Sequence, residues 1–402
     1  MIFGVSPTKD AVVIAAAVRT PLGRFQGELS PLSAPKLGSA VIRAAAQRAG
    51  IDGAHVDEVL MGCVLPAGQG QAPARQAARG AGLPDATGAT TVNKVCGSGM
   101  KAVMIGHDLI AAGSADLVVA GGMESMSNAP YLLSQARAGY RFGHGEIFDH
   151  AALDGLEDAY EKGRSMGTFG EDTAEAYQFT RDAQDAYAIE TLQRARRAIE
   201  IGAFEAEIVP VAVPAKSGPV EISRDENPLK LSPEKIPLLK PAFRAGGTIT
   251  AASSSANADG TAAIVLTRRS TAERLGLPVR ATIVAQAGHA QEPRWFTTAP
   301  IPAIRKVLEK ANWTVGDVDL FEINEAFAVV AMAAIRDLGL DSERVNVNGG
   351  ACALGHPIGA TGARIIVTLL HALERSGGER GIASLCIGGG EATAVAIERS
   401  AA

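Results

Sequence analysis

The sequence predicts an α/β protein made of two similar βαβαβ halves around an inserted segment, and three observations carry that prediction. The first is internal repetition. "APKLGSAVIRAAAQRAGIDGAHVDEVLMGC" (34–63) and "APIPAIRKVLEKANWTVGDVDLFEINEAF" (299–327) both read helix, Asp-containing turn, buried strand. A second pair follows in the same order: "ADLVVAGGMES", with Gly121, Gly122 and Glu124, and "ASLCIGGGEAT", with Gly389, Gly390 and Glu391. The second observation is the alternation of short β-rich runs with helical periodicity, which implies largely parallel sheets covered by helices. The third is composition. With 47% hydrophobic residues, 45 glycines and 4% aromatics among 402 residues, the chain is a tightly packed, Ala- and Gly-rich globule of two or three subdomains.

Along the chain, the apolar run before Arg19 reads as a first strand, since it lacks the basic leader of a signal peptide. Apolar residues at helical spacing after Ala34 lead to a strand at Val59 to Met61, and the second copy places a strand at Leu320 to Ile323. The halves fall at 1–128, completed by about 253–278, and at 279–402. Between them, 129–252 loses the pattern and carries denser charge, as an inserted cap would. It holds a helix from "TRDAQDAYAIETLQRARRAIEIG" with Thr180 as N-cap, then the proline-spaced "NPLKLSPEKIPLLKPAF", which suits an irregular surface loop.

Several function classes are excluded early. A net charge of -5 is not the broad basic surface that nucleic acid or anionic lipid needs, so an anionic ligand must meet local positive groups. No stretch approaches the roughly 20 apolar residues of a membrane span. The four cysteines form no CxxC pair or zinc spacing, so reduced thiols and no metal are expected, in a cytoplasmic protein.

Three glycine-rich loops carry chemistry. Cys96, in "VNKVCGSGMKAVMIGHDLIAAG", sits where a strand-like run meets a helix ending near Gly113. A helix N-terminus offers free N–H groups and a positive dipole end, a setting that can lower a thiol pKa to roughly 3.5–7.5. The competing reading is a buried structural cysteine, which the flanking Gly97 and Gly99 weaken. His356, in "NVNGGACALGHPIGATGARI", is the one of seven histidines in a Gly-rich turn leading into an apolar helix, where a base for a thiol belongs. Cys386 ends a strand before three glycines whose N–H groups could bind an oxyanion, although a plain strand-to-loop turn has the same residues. Asn324 in "FEINEAF" follows a buried strand and reads either as an N-cap or as a ligand-facing amide. Cys63 and Cys352 read as core filler.

Together "VNKVCGSGMKAV", "VVAGGMESMSNAPY", "NEAF", "NVNGGACALGHPIGATGAR" and "LCIGGGEA" resemble the thiolase family over nearly the whole chain. The resemblance implies a layered α/β/α/β/α fold of two duplicated core domains plus a loop domain. It implies transfer of an acetyl group between coenzyme A thioesters, with Cys96 as nucleophile, His356 as its activator and Cys386 as second acid/base. It places one oxyanion site at His356 with a water held by Asn324, and another at the N–H groups of Cys96 and Gly388. Leu156, Met166, Phe243, Ala251, Ser255, Ala326 and Phe327 resemble positions of the coenzyme A groove, and Phe296 a position near the acyl pocket. No cofactor beyond the thioester substrates is implied; the partners are acetyl-CoA and other acyl-CoA substrates, with neither nucleic acid nor membrane. A homodimer or dimer of dimers is implied as well.

The chain departs from common family patterns at "TAASSSANADG" (250–260), at Ser165, where short-chain members carry histidine, and at Glu391, where many carry methionine. A degradative 3-ketoacyl-CoA thiolase of broader chain length is therefore the alternative. A ketoacyl-carrier-protein synthase would need a second catalytic histidine. A non-catalytic relative would lack one of Cys96, His356 and Cys386.

Overall fold

A computed structural model describes residues 10–399. In the first half the order is β1 (Val12–Arg19), α1 (Ala34–Ala49), β2 (Glu58–Gly62), α2 (Pro73–Ala81), β3 (Gly88–Val92), α3 (Ser98–Ala112) and β4 (Leu117–Ser125). A long segment with α4 (Met166–Ala176) and α5 (Arg181–Glu200) precedes β5 (Ala258–Arg268). The second half holds β6 (Ala281–Ala290), α6 (Pro300–Ala311), β7 (Leu320–Ile323), α7 (Ala328–Leu338), α8 (Thr361–Ser376), β8 (Arg380–Ile387) and β9 (Glu391–Glu398).

The strands run in the order β7-β8-β9-β6-β1-β5-β4-β2-β3. This is two half-sheets joined edge to edge by a short β1–β6 contact, Val13 to Thr282 and Ile14 to Ala281. Successive strand residues point to opposite faces, so each half-sheet serves two layers. Between the half-sheets lie α3 and α8, whose Met100, Val103, Ile366 and Leu370 pack with Val118 and Ile264 on one side and Leu385 and Val395 on the other. Val13, Val59 and Val119 face outward to Val41, Ile42 and Ala77 of α1 and α2. Phe321, Ile382 and Ala394 face Ile304 and Val329 of α6 and α7. The layering is therefore α/β/α/β/α. Each fully buried Leu or Ile of α8 contributes about 1.5–3 kcal/mol, and truncating Leu370 to Ala would cost about 2–5 kcal/mol.

The expectation of largely parallel sheets is corrected. Only β2 with β3, β2 with β4 and β7 with β8 run parallel in the main sheet. β1, β5, β6 and β9 pair antiparallel with their neighbours, because β9 returns from β8 through a tight glycine turn and β5 re-enters after the long insertion.

Local expectations fared better. The strand at Leu320 to Ile323 matches β7, and α3 ends at a left-handed Gly113. Thr180 caps α5, its hydroxyl accepting the Ala183 N–H at 3.1 Å. The stretch 129–252 is tied to the core by buried Arg19 at the end of β1, which bonds Asp225 at 2.7 and 2.9 Å and Glu207 at 2.5 Å. Among the described residues no helix is long and apolar enough to cross a membrane, and the four cysteines form no disulfide.

Candidate active site

The two central helices meet at their first turns. A Cβ on Gly362 would lie 2.4 Å from the Met100 nitrogen, and one on Gly99 would lie 2.9 Å from the Ala363 nitrogen, so only glycine permits this approach. The contact brings the loop before α3, which carries Cys96, beside the loop before α8, which carries His356. Glu124 at the end of β4 ties them further. Its buried carboxylate accepts N–H bonds from Val64 (3.0 Å), Leu65 (3.1 Å) and Gly359 (2.8 Å). Burial pushes that carboxyl up to about 7, against those donors, which favour the charge.

Cys96 follows Val95, held at φ +45°, and precedes the Gly97 cap of α3. A β-branched residue in the left-handed region is strained, and such strain concentrates at functional sites. The expected low-pKa thiolate is corrected: burial pushes the thiol up to about 11, beyond what the N–H groups of Gly388 and Cys96, both directed at the sulfur, can offset. The thiol is protonated at neutral pH and needs a base.

His356 is buried, and its Nδ1 lies 2.7 Å from the Thr361 hydroxyl. That hydroxyl donates to the Pro357 carbonyl at 3.0 Å, so its lone pair accepts the Nδ1–H. This network assigns the tautomer and leaves Nε2 with a free lone pair and no protein partner. Burial first, then the Arg364 charge, lowers its pKa to about 3, so the ring is neutral at physiological pH. The His356 N–H donates to the Ala256 carbonyl at 2.8 Å, fixing the loop to the 250–260 segment.

Cys386 is fully buried near the end of β8, and burial, then the nearby Cys96, holds its thiol well above the usual range. Beyond it Gly389 and Gly390 both adopt φ +90°, turning the chain so that the Gly388 N–H meets the Cys96 sulfur. Asn324 extends the β7 ladder through a 3.0 Å bond from its N–H to the Ser384 carbonyl. Its buried side-chain amide has no protein partner at either polar atom, which fits a water-holding group and not an N-cap. Cys63 and Cys352 are buried against Glu124 and Glu325, their sulfurs 3.7 Å from a carboxylate oxygen and 3.6 Å from a carbonyl oxygen respectively.

A cavity of about 490 Å³ is lined by His356 and by the predicted residues Leu156, Met166, Phe243, Ala251, Ser255 and Phe327. Ala326, expected in the groove, and Phe296, expected near the acyl pocket, do not line this cavity. The Ala326 carbonyl accepts the Ser255 N–H at 3.0 Å, and Phe296 lies edge-on to Phe327, with ring centroids 6.5 Å apart, in the layer behind. Arg24 at the rim, which no motif marked, supplies the local positive charge an anionic ligand requires. On the other side of Met166 a second cavity of about 340 Å³ touches Val95 and Gly388.

Glu391, for which the sequence offered no physical account, pairs with Lys94. The pair spans the two halves and clamps the Cys96 loop to the strand that follows the glycine turn.

Comparison with known proteins agrees with this geometry. Residues 12–270 match the family model for the thiolase N-terminal domain, and 277–399 that for the thiolase C-terminal domain. The acetyl-CoA acetyltransferase of Pseudomonas aeruginosa is 48% identical over 390 residues, covering 96% of this chain and 99% of that protein. A thiolase of Ascaris suum, solved in complex with coenzyme A, superposes with a TM-score of 0.93 at 43% identity, covering 97% of this chain and 100% of the other. The acetyl-CoA acetyltransferase of Bacillus anthracis superposes with a TM-score of 0.95 at 43% identity, covering 98% and 100%.

Proposed function

This chain belongs to the thiolase family, and from that premise we propose that it is an acetyl-CoA C-acetyltransferase, joining two acetyl-CoA to give acetoacetyl-CoA and coenzyme A, reversibly. The observation that carries the reading is the meeting of the first turns of α3 and α8, which brings the Cys96 loop, with two N–H groups aimed at its sulfur, beside the His356 loop, whose buried Nε2 has no protein partner. His356 Nε2 takes the Cys96 proton, and the thiolate attacks the acetyl carbonyl. The N–H groups of Cys96 and Gly388 hold the oxyanion as the tetrahedral intermediate forms. Collapse expels the coenzyme A thiolate, which takes the Cys386 proton and leaves as a thiol.

Cys386, now a thiolate, removes an α-proton from a second acetyl-CoA. The enolate oxygen lies between the His356 N–H, gained in the first step, and a water on Asn324. The carbanion attacks acetyl-Cys96, and the released thiolate recovers its proton from His356. The Cys96 proton returns through His356, and the α-proton of the second acetyl-CoA replaces the one Cys386 gave to coenzyme A, so the protons balance with the thioesters alone. Each neutral thiol is ionised only while a partner stands ready to take its proton.

A second reading, a degradative 3-ketoacyl-CoA thiolase of broader chain length, uses the same residues but needs an apolar acyl channel, and the 340 Å³ cavity beyond Met166 carries Asp154, Glu157, Asp158 and Glu391 in its wall. The deciding experiment is CoA-dependent thiolysis of acetoacetyl-, 3-ketohexanoyl- and 2-methylacetoacetyl-CoA, compared by kcat/KM. Highest efficiency on acetoacetyl-CoA supports the acetyltransferase; highest efficiency on either other substrate supports the degradative enzyme. A cytoplasmic homo-oligomer, a dimer or dimer of dimers, completes the reading. It is supported by family resemblance and by the exposed Tyr131, Leu133, Phe142 and Ile147 after β4, apolar surface that a second copy would cover.

A further inference from the structure

Among the described residues thirteen buried side-chain polar atoms have no hydrogen-bond partner, and seven of them belong to four residues: Glu322, Asn324, His356 and Arg364. These are not scattered. Glu322 and Asn324 are two apart along β7 and so share the face turned toward α8. Arg364 lies three residues into α8 from Thr361, the group that holds His356 Nδ1, and shares its helix face. Two of the four residues belong to the proposed mechanism; Arg364 and Glu322 have no part in it.

Arg364 is 1% exposed, yet its Nε, Nη1 and Nη2 all lack a hydrogen-bond partner. The nearest carboxylate oxygen, on Glu322, is 3.6 Å from Nη1, too far for a direct hydrogen bond. A guanidinium with five N–H donors cannot be buried dry without a large desolvation cost. A polar site with several donors and acceptors facing one another is where proteins keep ordered water. We propose that Arg364 is a positioning residue of the active site, which, steadied by Glu322, anchors buried water connected to the Asn324 amide and so holds in place the water that completes the enolate-binding site.

A further observation agrees. Burial pushes the Glu322 carboxyl up to about 8 despite Arg364, so it can donate as well as accept a hydrogen bond to water.

The proposal rests on the acetyltransferase reading, and two measurements test it. A high-resolution crystal structure of the full chain should show ordered water within hydrogen-bond reach of the Arg364 guanidinium and linked to Asn324; a dry guanidinium there overturns the proposal. Single-turnover kinetics then separate the half-reactions. Arg364→Gln should acetylate Cys96 within about threefold of the unaltered protein, while condensation falls on the order of 10²-fold, the usual effect of losing one oxyanion donor. Arg364→Lys, which keeps a charged, hydrated head, should recover part of that loss. Equal loss in both half-reactions, or none in either, overturns the proposal. Should Arg364→Gln fail to fold, Glu322→Gln is read by the same split. If the unaltered protein does not condense acetyl-CoA, the functional reading fails, and the crystal structure still decides whether the water is there.

Discussion

The two halves of this molecule carry the same glycine motif and put it to different uses. In the first half Gly121 and Gly122 stay inside β4, in register with Ala263 and Ala262 of β5. A Cβ on Gly122 would lie 2.1 Å from the Gly359 carbonyl oxygen, so its bareness lets the His356 loop of the other half cross the strand. In the second half β8 stops at Ile387, and Gly389 and Gly390 become a left-handed turn into β9 that presents the Gly388 N–H to Cys96. In the proposed site each half supplies a part: the first Cys96, its N–H and the bare strand, the second His356, Cys386 and the Gly388 N–H. A duplicated fold thus yields one asymmetric site. The starts of α3 and α8, which follow Cys96 and His356, are related by the repeat, yet the proposed mechanism gives the first the acyl group and the second the proton transfers.

The sharpest test of this division is Cys96→Ser against Cys386→Ser. The first should abolish the acetyl-enzyme seen by mass spectrometry and cut turnover on the order of 10⁴-fold. The second should keep the acetyl-enzyme while condensation falls on the order of 10³-fold. Acetylation of the Cys96→Ser protein would break the assignment of roles.

Next in size is pH dependence. A thiol raised to about 11 is protonated at neutral pH, and its thiolate fraction grows with pH. The alkylation rate of Cys96 by iodoacetamide, followed at that residue by peptide mass spectrometry, should therefore rise about tenfold per pH unit from 7 to 10 with no plateau. A plateau near pH 8 would show that the helix terminus outweighs burial.

Gly122→Ala tests the crossing of the halves. Forcing a methyl group against the Gly359 carbonyl should cost about 1–3 kcal/mol, read as a lower thermal midpoint, and should weaken condensation by displacing the His356 loop. Gly50→Ala serves as the control: its Cβ would meet nothing, so only left-handed backbone strain at φ +71° remains and condensation should be unchanged. The smallest effect belongs to Glu391→Gln. The Lys94–Glu391 pair is part-exposed, so its loss should cost about 1 kcal/mol at most, an effect on kcat/KM that diminishes with added salt.

Much of this was legible in the chain. Repetition, strand-like runs and helical spacing revealed two α/β halves, because side-chain periodicity is a local property that every strand and helix must obey. Cys96, His356 and Cys386 stood out because a ligand approaching a strand end needs bare backbone, which glycine-rich motifs record, and Asn324 stood out as a polar residue ending an apolar strand. Strand direction was not legible, since the turn after Cys386 and the insertion before β5 decide it at long range. Nor was the ionisation of Cys96. A helix terminus is written in the local sequence, but the burial that overrides it comes from chain segments far away. The Lys94–Glu391 clamp, the Arg364–Glu322 pair and the exclusion of Phe296 and Ala326 from the cavity wall belong to the same class. Local patterning along the chain specified the alternation of elements and the residue types at their ends. Which ends meet, how deeply they are buried and which charges they face follow from the packing of the whole chain, because burial and electrostatics depend on distances in space and not along the chain.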